Sequence, residues 1–207
     1  MSQREKIIDR TAKMFLELGI KSIRMDDIAH SLGISKRTLY EMFADKEELI
    51  YLCMKHLFDD RFNRANKVPL ENGGEFAALF RGFELMLDTG DRHHRMMTNL
   101  QKFYPSIYDR VKAEHIREGV NRIRDIITDF VRRGLISSDI NVDLSVTIFY
   151  YITTVVFAQR NSMVLPEGVT EKDAFMYTIV NFFRGAATEE GVHQIDRFIS
   201  KKRVYDI

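Results

Sequence analysis

The sequence is sparing with the residues that mark most specialised protein classes. Its 207 residues hold one cysteine, Cys53, which has no partner for an internal disulfide and so fits a reducing cytoplasm. Neither sign of charge dominates: 31 Lys and Arg stand against 30 Asp and Glu, for a formal net charge of +1. Bulk attraction to a polyanion is therefore not a property of the whole chain. No apolar run is long enough for a bilayer. The longest, Val146 to Ala158, contains three threonines and falls short of the roughly 20 residues a span needs. No apolar core follows the opening Ser-Gln-Arg-Glu-Lys, so no signal peptide is expected. A nucleophile–base motif, a glycine-rich phosphate loop and a set of metal ligands are all lacking. No catalytic residue, cofactor or metal is expected, and the protein reads as soluble, cytoplasmic and without a membrane partner.

What is present is helical. At 45% hydrophobic and 29% charged the composition is that of an ordinary globular protein, long enough to bury a substantial core. No strand alternation, internal repeat or low-complexity segment appears, and the fold class expected is all-α. The most informative stretch is Met25 to Phe43. Ile28, Ala29 and Leu32 form one apolar ridge at helical spacing, and Leu39, Tyr40 and Phe43 form another. Gly33 falls between them, where a residue at ease with φ > 0 is favoured. Ser35 then stands as the N-cap of the second helix. Two short helices joined by such a turn form a helix-turn-helix, whose second helix can enter a DNA major groove. Residues 1–40 carry eight basic and five acidic residues, so DNA binding must rest on placed charges and on a second copy of the chain.

The rest divides into further helices. Ser2 and Glu5 match a capping box for a first helix from Gln3, ended by Gly19. Asp45 and Glu48 cap a fourth, long helix that continues to about Asn66. Pro69 and Gly73-Gly74 mark a break. A fifth stripe, Phe76, Phe80, Phe83 and Leu87, is expected to end at Gly90. A sixth helix runs to Tyr104 and is closed by Pro105, and a seventh covers about Tyr108 to Arg133. The domains expected are 1–46, a helix-turn-helix DNA-binding domain; 47–66, a connecting helix; and 67–207, a helical ligand-binding and dimerisation domain.

The eighth and ninth helices, Leu144 to Ala158 and Ala174 to Ala187, are apolar on both sides. A helix without a polar face is buried all round. Paired across a two-fold axis, these helices would make an intermolecular four-helix bundle. The residues expected at that interface are Phe149, Ile152, Val156, Phe175, Ile179, Phe182 and Phe183. The plainer alternative is that both are core helices of a monomer.

Residues 1–63 resemble the TetR (tetracycline-repressor-like) transcriptional regulators. The matching pieces are Phe15-Leu-Glu-Leu-Gly19, Met25-Asp-Asp-Ile-Ala29, Leu32-Gly-Ile-Ser35, Thr38-Leu-Tyr40, Phe43 and Lys46-Glu-Glu-Leu49. In that order and spacing they are specific, whereas the C-terminal two-thirds is similar only in layout. The resemblance implies a homodimeric DNA-binding regulator whose C-terminal domain senses a small molecule. Three positions depart from the pattern: Arg24 where the family usually has a Thr or Ser N-cap, Arg37 in place of a small residue, and Met42 in place of an aromatic or His.

The residues expected at DNA are Arg24, Ser35, Lys36, Arg37, Thr38, Tyr40 and Lys46. Arg37 and Thr38 are the base readers, Arg37 by its bidentate match to guanine. Ser35, Lys36 and Tyr40 hold phosphate or sugar, which sets register. Lys46 adds its charge to a helix N-terminus. An apolar pocket with a few polar handles would draw on Phe103, Tyr104, Tyr108, Tyr150, Tyr151 and Gln159. His115 fits either a cavity wall or the edge of its helix's apolar stripe. The adjacent His93 and His94 point to different sides of a helix and read as a solvated face, and Cys53 reads as core packing. The function expected is a repressor that binds a palindromic operator as a homodimer and is released by a small apolar or aromatic effector. The alternative is a DNA-binding dimer with no small-molecule ligand, controlled by a protein partner or acting structurally on DNA.

Overall fold

A computed structural model describes residues 2–67, 74–88, 90–159 and 162–200, the side chains of 66, 90–91 and 157–159 excepted. The all-α expectation holds. Among the described residues there are ten helices and, outside them, an isolated bridge between Ile136 and Ala187. The helices are α1 (Gln3–Leu18), α2 (Met25–Leu32), α3 (Lys36–Met42), α4 (Lys46–Asn66), α5 (Gly74–Asp88), α6 (Gly90–Phe103), α7 (Pro105–Arg132), α8 (Val142–Gln159), α9 (Glu171–Ala186) and α10 (Glu189–Ile199). None is long and apolar enough to cross a membrane.

Two compact units result, each drawn from two stretches of chain: Met1–Asn63 with Asp88–Ile116, and Arg64–Leu87 with Arg117–Ile207. The sequence division put everything after residue 66 together. The structure instead groups α6 and the start of α7 with the N-terminal helices, and both α4 and α7 carry residues of each unit.

In the first unit, Ile8, Ala12 and Phe15 of α1, Ile28 and Ala29 of α2, Leu39 of α3 and Leu49, Ile50, Cys53 and Met54 of α4 share one core with Met96 and Leu100 of α6. The caps are those the sequence names. Ser2 Oγ accepts from the Glu5 amide while the Glu5 carboxylate accepts from the Ser2 amide, and Asp45 accepts from the Glu48 amide. Cys53 is fully buried with its Sγ 3.5 Å from the Ile8 carbonyl, and burial pushes its thiol pKa up. Such a thiol is inert core packing.

In the second unit, Phe76 and Phe80 of α5, Ile127 and Phe130 of α7, Val146 and Phe149 of α8, Met176, Ile179, Val180 and Phe183 of α9, and Ile195 and Phe198 of α10 form the core. The rings of Phe76 and Phe130 meet edge-on with centroids 4.8 Å apart. Sequence reasoning missed α10, although Thr188 followed by Glu189 and Glu190 is an N-cap with an acidic first turn. Thr188 Oγ1 accepts from the Gly191 amide and donates to the Gly134 carbonyl at 2.7 Å. Gly191 lies so close beneath Leu135 that a Cβ would collide with its carbonyl oxygen. Two boundaries also differ. Pro105 opens α7 rather than closing the preceding helix, because a first-turn position needs no N–H. Gly90 begins α6 rather than ending α5. Pro69 and Gly73 lie outside the described residues.

Candidate nucleic-acid interface

The helix-turn-helix is built by local chemistry. α2 ends where Gly33 takes a left-handed conformation, φ 65°, and its amide returns to the Ala29 and His30 carbonyls. Ser35 then caps α3: its Oγ accepts from the Thr38 amide at 3.0 Å and lies 2.8 Å from Thr38 Oγ1. Leu39 and Phe43 are buried, which fixes the inner face of α3. The outer face is therefore forced into solvent, and it carries Ser35, Lys36, Arg37 and Tyr40, with Thr38 half-buried.

These side chains are not loose. Lys36 Nζ pairs with Asp26 of α2 at 2.8 Å, and that hydrogen bond raises the lysine pKa. Arg37 Nε donates to Glu41 Oε1 at 2.9 Å, one helical turn on. Arg4 of α1 pairs with Glu48 at 2.9 Å and sits over the Phe43 ring, 4.8 Å from its centroid, so α1, α3 and α4 are tied on the side where α4 begins. Sequence reasoning did not single out Arg4, Asp26 or Glu41. Acid–base pairs at such separations carry no sequence signal, apart from the i, i+4 spacing of Arg37 and Glu41.

Arg24 and Lys46 have different surroundings from the residues of α3. Arg24 is exposed at the N-cap of α2; its side chain makes no cap, and its backbone N–H donates to the Asp27 carboxylate at 2.8 Å. The helix thus keeps half of a capping box. Lys46 is half-buried. Its Nζ donates to the Ile20 carbonyl at 2.8 Å and lies 5.7 Å from the Tyr104 ring, so it holds the connector between α1 and α2 against α4.

The effector candidates are divided between the units: Phe103, Tyr104, Tyr108 and His115 in the first, Tyr150, Tyr151 and Gln159 in the second. Phe103 is half-buried with Lys21 and Lys102 over its ring at 4.6 and 5.4 Å. Tyr104 and Tyr108 pack against the first core. His115 stacks on Phe58, centroids 4.0 Å apart, with Phe62 beyond it. Tyr150 is half-buried beside Gly119, and burial raises its phenol pKa. The Gln159 side chain lies outside the described residues. Tyr151 is 70% exposed and faces solvent, not an interior.

Of the interface residues read from sequence, three lie in the interior of the chain and four are half-buried. Phe149, Ile179 and Phe183 are buried inside the second core, and Phe175 and Phe182 pack against it; Ile152 and Val156 are half-buried. The reason is that α8 has two apolar faces, and the structure turns the other one outward. Leu144, Ile148, Tyr151 and Val155 form a single exposed stripe, and Tyr177 of α9 is exposed as well.

Residues 7–51, which contain α2, α3 and the turn between them, match the family model of the bacterial regulatory proteins of the tetR family. The head of the chain is therefore that of the tetR-family regulators. It is 26% identical over 156 residues to the HTH-type transcriptional repressor KstR2 of Mycobacterium tuberculosis, covering 72% of this chain and 74% of that protein. It is 30% identical over 114 residues to IcaR, the negative transcriptional regulator of the biofilm operon icaADBC in Staphylococcus aureus, covering 53% of this chain and 61% of that one. The crystal structure of a transcriptional regulator from Cytophaga hutchinsonii shares the fold, with a TM-score of 0.65 at 19% identity over 89% of this chain and 98% of the other. The match and the relatives support a DNA-binding transcriptional regulator, and α3 is the second helix of its helix-turn-helix.

Proposed function

We propose that the protein is a repressor that binds a palindromic operator as a homodimer and is released by a small apolar or aromatic effector. The observation that carries the dimer is the exposed stripe of Leu144, Ile148, Tyr151 and Val155 on α8, with Tyr177 on α9. Apolar side chains aligned on one face of a helix gain by being covered, and a second copy of the same stripe covers it symmetrically. Two α3 helices would then reach successive major grooves, about 34–36 Å apart. A dimer also supplies the affinity that a head with few net charges lacks. Repression is favoured because the relatives KstR2 and IcaR are named as a repressor and a negative regulator.

Within the head, Arg37 and Thr38 read bases. Ser35, Lys36 and Tyr40 contact phosphate or sugar, Arg24 reaches phosphate from the start of α2, and Lys46 joins the N-terminus of α4 as a phosphate site. The effector reading rests on Tyr150, a half-buried phenol beside Gly119 in the second unit. An effector would act by binding more tightly to the conformer whose heads are wrongly spaced, and α4 and α7 are the continuous helices able to carry that difference.

Sedimentation at micromolar concentration tests the dimer, and duplex selection from a random pool tests the operator. A dimer that selects a two-fold symmetric site is expected; a monomer, or a selected site without symmetry, overturns the reading. Native mass spectrometry of the purified protein is expected to find a retained small molecule whose addition lowers operator affinity. If no retained molecule or added aromatic compound alters operator binding, the ligand-free DNA-binding dimer replaces it.

A further inference from the structure

We propose that Glu41 is the positioning residue for base readout by Arg37: it selects which edge of the guanidinium is offered to DNA. This rests on the reading of Arg37 as a base reader. A guanidinium presents two edges that can donate twice, a side edge containing Nε and an end edge of the two Nη nitrogens. The Arg37 side chain is 89% exposed, so packing does not decide which edge faces outward. Glu41 does. Its Oε1 takes the Nε–H at 2.9 Å, and among the described residues no hydrogen bond to either Nη of Arg37 is seen. The side edge is thereby spent on the protein, and the end edge is left for a planar acceptor pair such as guanine O6 and N7.

The platform beneath this pair is fixed. Arg37 and Glu41 stand four residues apart on a helix whose N-terminus is closed by Ser35 and Thr38 and whose inner face is anchored by Leu39. The neighbouring cation is treated alike, since Lys36 is held by Asp26 at 2.8 Å. Both cations at the start of α3 therefore carry a carboxylate with them. A carboxylate close to phosphate weakens attraction to every DNA sequence, because sequence-independent affinity comes from uncompensated positive charge. The arrangement trades general affinity for direction. Glu41 should accordingly affect the two quantities oppositely, which a merely solvated ion pair would not do.

The test uses the full-length protein with duplexes derived from its selected site. Arg37→Ala first identifies the base position whose preference flattens. Glu41→Gln and Glu41→Ala are then expected to lower the preference at that same position by about threefold to tenfold, a fraction of what a full bidentate contact contributes. Binding to a scrambled duplex should meanwhile tighten by about twofold to threefold at low salt. Glu41→Asp, which keeps the charge on a shorter stem, should restore the weak scrambled-duplex binding while recovering only part of the base preference. If both neutral variants keep the full preference at the Arg37 position, or if all duplexes tighten equally, Glu41 is no positioning residue. If Arg37→Ala flattens no position, the base-reader reading itself fails, and that outcome is distinct because it appears before Glu41 is touched.

Discussion

The two compact units dispose of their apolar residues differently. In the first, α2 and α3 each have one apolar face, and burying Ile28, Ala29 and Leu39 leaves a polar, cation-bearing surface at Ser35, Lys36 and Arg37. In the second, α8 is apolar on both faces, so burying Val146 and Phe149 still leaves Leu144, Ile148, Tyr151 and Val155 in solvent. The first surface is the one proposed to meet DNA, and the second is the one proposed to meet a second copy. If that contrast is right, the inner and outer faces of the second unit must fail in different ways. Phe183→Ala removes a fully buried ring that touches Phe76, Phe149 and Phe182. It should cost about 3–5 kcal/mol, read as an earlier urea midpoint, with the helix-turn-helix losing its support only as the whole chain unfolds. Ile148→Asp with Tyr151→Asp should leave a folded, helical chain by circular dichroism and give a monomer in sedimentation, with operator affinity falling by about a hundredfold. If the double variant unfolds and Phe183→Ala merely dissociates, the faces are assigned the wrong way round.

The contrast also explains what the sequence made legible. Gly33, Ser35, Asp45 and the capping box of Ser2 and Glu5 are local signals, each satisfied within four residues, and all of them hold in the structure. Arg37 and Lys36 stand out as candidates because the N-terminal end of the second helix is the end that can meet base edges. Choosing between the two faces of α8 is not a local matter. Phe149, Ile152 and Val156 and the set Leu144, Ile148, Tyr151 and Val155 both have helical spacing; which one turns inward depends on where α5 and α9 lie. Phe149 of the first set turns into the core, and Tyr151 of the second turns outward. The partition of Phe103, Tyr104 and Tyr108 into the first unit was invisible for the same reason.

Within the first unit the comparison sharpens to neighbouring residues. Arg37→Ala should weaken binding to the selected operator by about 1–3 kcal/mol and relax one base position. Lys36→Ala should weaken binding to all duplexes alike and lower the salt dependence by about one ion per head. Competition titrations at two salt concentrations separate the cases. A Lys36 variant that changes base preference would erase the division of labour between the two adjacent cations.

The smallest expected effect concerns Tyr51, where α4 meets α7 inside the first unit. Its hydroxyl donates to Glu114 at 2.6 Å, while Arg110 donates to the same carboxylate at 3.3 Å and lies over the Tyr51 ring, 3.7 Å from its centroid. The bond from Tyr51 holds the Glu114 carboxyl below its ordinary value of 4.5 and, reciprocally, raises the phenol above 10.0. Tyr51→Phe keeps the ring and removes only the bond, so at neutral pH it should cost about 0.5–1.5 kcal/mol, toward the low end because the Glu114 side chain is 26% exposed. The sign on each side follows from the shifts. A carboxyl lowered on folding contributes stability above its unfolded value and loses it as pH falls through the folded one. A phenol raised on folding contributes below its unfolded value and loses it as pH rises through the folded one. The difference in urea midpoint between wild type and Tyr51→Phe should therefore be flat across neutral pH and close at both extremes. A difference that persists unchanged well below pH 4 would mean that Tyr51 stabilises the α4–α7 contact by packing alone.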